Sequence, residues 1–135
     1  LLGGATGDLY IFVSVKPHQF FTREESDLHC KVPVTITTAA IGGSVEVPVI
    51  DGTRARVTIP AGTQSGHQFR LKGKGMSIMR AGGRRGDLYV HTVVETPSKL
   101  SKKQKELLEE FDKLSNKNTN PKSSSFGEFL KKLKK

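Results

Sequence analysis

The 135-residue chain has no tryptophan, one cysteine and two methionines, and only 35% of its residues are hydrophobic. Each shortage excludes something. A lone thiol, Cys30, makes neither an intrachain disulfide nor a zinc site, so nothing speaks for an oxidising compartment. No apolar run approaches the roughly 20 residues that cross a bilayer, and no signal peptide is visible, as a trimmed N-terminus would also give. Chemistry-bearing patterns are missing too. His18, His29, His67 and His91 are scattered, without the Glu-bearing spacing of a zinc hydrolase. "GTQSGHQ" and "KGKGMS" resemble phosphate-binding loops but lack G-x-x-x-x-G-K-[ST], and read as turns. "RRGDLY" contains Arg-Gly-Asp, yet its Asp87 opens a strand whose twin at Asp8 lacks the Arg. No enzyme is legible.

What is present is charge, unevenly spread. The net charge is +9; residues 98–135 hold 11 Lys against 5 acidic groups, so most of the basicity sits in the tail. One further basic stretch runs from Arg70 to Arg85, with Lys72, Lys74, Arg80 and Arg84 and no acid between them. It would suit an acidic partner or a nucleic acid. It offers no aromatic residue for base stacking after Phe69, so a solvated hairpin is the preferred reading.

Period-two alternation dominates residues 1–97. Leu9, Ile11, Val13 and Val15 share a face, as do Leu28, Cys30, Val32 and Val34, then Val45, Val47 and Val49, then Ala55, Val57 and Ile59. Phe69 and Leu71 continue the pattern, and Leu88, Val90, Thr92 and Val94 close it. In this phase Cys30 is a buried structural thiol, while His29 and His91 point outward. Strands with one apolar face build sheets buried on one side, as in a sandwich. Pro33 and Pro48 donate no ladder hydrogen bond and belong at edges or bulges. Asp51-Gly52 marks a tight hairpin, and "TTAAI" one helical turn ended by Gly42-Gly43.

After Pro97 the period changes. Ser101 with Gln104 has the form of a capping box, followed by Leu107, Leu108, Phe111 and Leu114 at helical spacing. A polar linker, "SNKNTNPKSS", leads to a second capping signal at Ser125 and Glu128, with Phe126, Phe129, Leu130 and Leu133 on one face. Helices this short are marginal alone and need something to lie against. A membrane surface could take the basic, apolar tail, but packing on protein is the preferred reading.

"GDLYIFVSV" at 7–15 and "GDLYVHTVV" at 86–94 write nearly the same strand twice. The reading is an internal repeat whose first copy survives only as its final strand. Residues 1–20 would then be the last strand of a preceding, truncated β domain, exposed to association through its apolar face.

The stretches "GDLYIFVSVKPHQFF", "DLHCKVPVTITTAAIGGSVEVPVIDG", "IPAGTQSGHQFRLKGKGM" and "GDLYVHTVVETP" resemble, in this order, the C-terminal half of the bacterial DnaJ family of J-domain co-chaperones. The resemblance implies two tandem β domains that bind non-native polypeptide and a helical segment that makes a homodimer. The expectation is a mainly β chain: a two-layer β-sandwich over 21–97, then short amphipathic helices over 98–135 that dimerise. Phe20 and Phe21 match the family's segment bordering the peptide groove. Leu107, Leu108, Phe111, Leu114, Phe126, Phe129, Leu130 and Leu133 become the dimer contacts. The implied setting is cytoplasmic, with a DnaK-type chaperone as partner through the parent protein and no membrane. Zinc is expected only in an upstream region, through Cys-x-x-Cys repeats this chain lacks, and the J domain with its His-Pro-Asp signature is absent as well. A basic β module binding nucleic acid is the alternative.

Overall fold

A computed structural model describes residues 20–77 and 84–133, with the backbone of 3–4 and 7–8. The opening strand expected over 7–15 is described only at Gly7–Asp8, and the rest of it, His18, and the centre of the basic stretch at 78–83 lie outside the described residues. The chain divides into two units, Leu1–Thr96 and Pro97–Lys135.

The first unit is nearly all strand. β1 (Gly3–Gly4) pairs antiparallel with β2 (Gly7–Asp8). β3 (Thr22–Glu24), β4 (Asp27–Thr35), β7 (Gln68–Leu71) and β8 (Leu88–Glu95) form a four-stranded sheet in the order β3-β4-β8-β7. β5 (Gly43–Pro48) and β6 (Arg54–Ile59) make a second, two-stranded sheet, and one helix, α1 (Ile36–Ile41), joins the two sheets. Alternation puts Leu28, Cys30, Val32 and Val34 of β4 and Leu88 and Val90 of β8 on one face. There they share a core with Val47, Val57 and Ile59 of the smaller sheet, Ala39 of α1 and Phe21. This is the two-layer, sandwich-like arrangement the alternation implies. Fully burying one such side chain stabilises by about 1.5–3 kcal/mol.

The central pairing is parallel. β4 and β8 run together from Leu28↔Leu88 to Thr35↔Glu95, with α1, β5, β6 and β7 all lying between them in sequence. A parallel pair needs such a long excursion, and alternation alone says nothing about which strands become partners. Leu28 N–H donates to Asp87 O at 2.9 Å, so the even-numbered residues of β4 direct their backbone groups toward β8. Pro33 falls in the opposite phase. Its missing donor faces away from β8, on the edge where β3 has already ended, and the ladder loses nothing.

Local signals fold as the residues dictate. Thr35 caps α1 by accepting Thr38 N–H at 3.2 Å, and Gly42 ends the helix at φ 100°. At Gly52, φ is 94°, as the Asp-Gly hairpin between β5 and β6 requires. The glycine of the second "GDLY" is a matter of space. A Cβ on Gly86 would run into the Ser26 carbonyl.

In the second unit, α2 (Lys102–Leu114) starts at the expected capping box. Gln104 N–H donates to Ser101 Oγ at 3.2 Å and Ser101 N–H to Gln104 Oε1 at 2.9 Å. The next helix differs from expectation. α3 (Pro121–Lys132) begins inside the supposed linker, and Ser125 and Glu128 lie within it. Pro121 has the φ of a first helical residue and no N–H to satisfy, so it starts the helix. The linker itself folds into a turn, in which Asn116 Oδ1 accepts N–H groups of Asn118 at 2.8 Å and Thr119 at 3.2 Å.

Candidate functional site

Two surfaces hold the residues singled out from sequence. The first is an open depression of about 580 Å3 lined by Phe20, Thr22, His29, Cys30, Lys31 and His91. Phe20 and Phe21 part company here. Phe21 is buried in the core, while Phe20 is 39% exposed and held edge-to-face on Phe21 at 5.3 Å between ring centres. Beside the depression, β3 pairs with β4 only as far as Thr22↔His29. Beyond that point no described strand covers this edge of β4. By the alternation of the ladder, Lys31 presents both N–H and C=O there, and Pro33 a C=O alone.

His29 and His91 do lie on the outer face of the sheet, but they meet. His29 Nδ1 stands 2.9 Å from His91 Nε2, and the His29 ring stacks on Tyr89 at 5.0 Å. Sequence reasoning missed this pair because it depends on the parallel register, which sets Lys31 opposite His91 and His29 opposite Tyr89. Cys30 is buried among apolar neighbours, and burial pushes its thiol up to about 11.

The second surface is apolar and helical. Leu107, Leu108, Phe111 and Leu114 on α2, with Phe126, Phe129 and Leu130 on α3 and Leu133 at its end, are all between 39% and 78% exposed. No residue of either helix is buried. Exposed apolar surface of this extent is uncommon on a monomeric soluble protein.

The basic stretch is in part structural. Arg70 donates from Nε and Nη2 to Asp87 Oδ2, each at 2.6 Å. Asp87 Oδ1 accepts Gly73 N–H at 2.9 Å, and Asp87 N–H donates to Asp27 Oδ1 at 2.7 Å. The Gly73 N–H first, and then Arg70, hold the Asp87 carboxyl below the usual carboxylate range. Ser77 bridges antiparallel to Arg85.

This arrangement has clear relatives. A family model described as the DnaJ C terminal domain matches residues 2–97, and one described as the Chaperone protein DnaJ C-terminal region matches 103–135. The chain belongs to the DnaJ C-terminal domain family. The Chaperone protein DnaJ of Allorhizobium ampelinum is 60% identical over 126 residues, covering 93% of this chain and 33% of the relative. That of Rhodospirillum centenum is 59% identical over 133 residues, 98% of this chain and 35% of the relative. That of Bartonella henselae is 58% identical over 131 residues. The chain thus spans about a third of the length of the curated relatives it matches.

A cysteine-liganded zinc ion does not fit these residues. There is one thiol, buried and held protonated, and no three His, Cys, Asp or Glu side chains come together among the described residues. No described helix is long and apolar enough to cross a membrane.

Proposed function

We propose that this chain holds non-native polypeptide and self-associates, as a non-enzymatic part of a DnaJ-type chaperone that works in the cytoplasm with a DnaK-type partner. The observation that carries the reading is the length of β4 edge, beside the Phe20-walled depression, that no described strand covers. An extended segment can add to that edge through Lys31 N–H and C=O while one of its apolar side chains enters against Phe20. Pro33 cuts the edge short, so few main-chain bonds form and capture is weak and reversible. Such binding suits a protein that must release its clients. The stripes on α2 and α3 supply the association: a second copy, offering the same stripes in symmetric register, satisfies both at once.

The test is titration of fluorescent peptides rich in Leu and aromatic residues, beside acidic peptides and homopolymeric RNA, at two salt concentrations. Apolar peptides should bind in the micromolar range or weaker, with little salt dependence. Phe20→Ala should weaken them about fivefold, roughly 1 kcal/mol. RNA that binds more tightly than any peptide and weakens steeply with salt would replace this reading with the nucleic-acid one.

A further inference from the structure

We propose that His29 and His91 form a binding site for a divalent transition-metal ion of the imidazole-seeking kind, Cu2+, Ni2+ or Zn2+, held between His29 Nδ1 and His91 Nε2. The two residues stand diagonally across the parallel pair β4–β8 on its outer face, where cross-strand side chains come within reach. Their nitrogens are 2.9 Å apart. Two imidazole nitrogens bound at right angles to a tetragonal Cu2+ or Ni2+ ion, each at about 2.05 Å, are also about 2.9 Å apart, and tetrahedral Zn2+ would need them about 3.3 Å apart, so the spacing favours the first two ions.

The neighbours are compatible with that use of the pair, and the titration below separates it from a simple shared proton. Glu24 Oε1 lies 3.6 Å from His29 Nε2, the nitrogen turned away from His91. At that distance the carboxylate is not hydrogen-bonded to the ring, but a modest swing of this exposed side chain would bring it onto Nε2, the arrangement in which metal-bound histidines are usually held. Gln68 places its amide terminus 3.3 Å from the same His91 Nε2. Turned about its χ3 axis, the amide presents its oxygen instead, an available third ligand. Tyr89, stacked on His29, limits the ring's rotation. Lys31 lines the same depression, and its charge opposes a cation, so only ions with high imidazole affinity compete for the site. The inference concerns a different use of the depression from client capture and does not depend on it.

The full chain, free of chelator and purification tag, is titrated with CuCl2, NiCl2 and ZnCl2 by calorimetry and by tyrosine fluorescence, which Cu2+ at His29 should quench through the stacked Tyr89. One ion should bind per chain, Cu2+ most tightly. His29→Gln and His91→Gln should each weaken binding by about 100-fold, and Glu24→Gln by about 10-fold, while His67→Gln changes nothing. Unchanged affinity in His91→Gln, or loss in His67→Gln, would mean adventitious binding and overturn the site. Should a variant fold poorly, electron paramagnetic resonance of Cu2+ on the unaltered protein decides. Splitting from two equatorial imidazole nitrogens supports the site; a single nitrogen or none rejects it.

Discussion

Leu88 and Val90 in the β unit are wholly buried, whereas Leu107, Phe111, Leu114 and Phe129 in the helical unit are each more than half exposed. The two regions spend the same residue types in opposite ways. In the β unit every second residue of β4 and β8 turns inward, and the smaller sheet and α1 close over them. The polar groups that fall inside are answered: Thr92 donates to His67 O at 2.8 Å, and Asp87 is held by Arg70 and Gly73. In the helical unit α2 begins at a complete capping box and α3 at Pro121, yet neither helix buries a residue. Good capping fixes where a helix starts, but does not give its apolar face a place to go. The lesson is that local order and a filled interface are separate achievements, and only the first belongs to the helical unit by itself.

That contrast can be strained from its strong side first. Leu88→Ala should cost the β unit about 2–5 kcal/mol in urea unfolding, because the surrounding core relaxes only partly around the lost volume. Gly86→Ala should cost about 1–3 kcal/mol or more, since the new Cβ meets the backbone of Ser26 rather than a side chain that could move aside. Either variant unfolding as the parent does would mean that the β unit is less tightly closed than described.

Asp87 provides the pH test. Its folded carboxyl releases its proton more readily than the unfolded one. The stability it contributes is therefore fully present above the unfolded value near 3.9 and is lost as pH falls through the lower folded value. Asp87→Asn should flatten that acid limb and be less stable than the parent at neutral pH. A limb of unchanged steepness would assign acid sensitivity to other carboxylates. For Cys30, burial and the raised thiol predict that iodoacetamide at pH 8 reacts no faster than the β unit opens. Fast labelling of native protein would contradict its place in the core. At the weak end, Leu114→Ala should leave β-unit unfolding within about 0.5 kcal/mol of the parent, as a surface change does.

Much of the fold could be read from residues whose signal is local. Alternation marked the strands, Asp51-Gly52 the hairpin, Gly42 the end of α1, and Ser101 with Gln104 the start of α2. What stayed hidden depends on contacts distant in sequence. The parallel pairing of β4 with β8 leaves no trace in either strand alone, and with it went the meeting of His29 and His91. Phe20 and Phe21 look equivalent as neighbours, yet one is core and the other wall. The start of α3 was misplaced for a different reason: a polar composition suggested an open linker, while Asn116 and Pro121 use those same polar atoms and that fixed φ to build a turn and a helix start.

The central claim is that the helical unit is completed by a second copy. Sedimentation equilibrium tests it most directly, on the full chain, on a version ending at Pro97 and on Phe111→Asp. The account predicts dimer, monomer and monomer, with the full-chain dimer tightening slightly as salt screens the lysines of the tail. A version ending at Pro97 that still dimerises would move the interface onto the β unit, and a full chain that stays monomeric at high concentration would contradict the account.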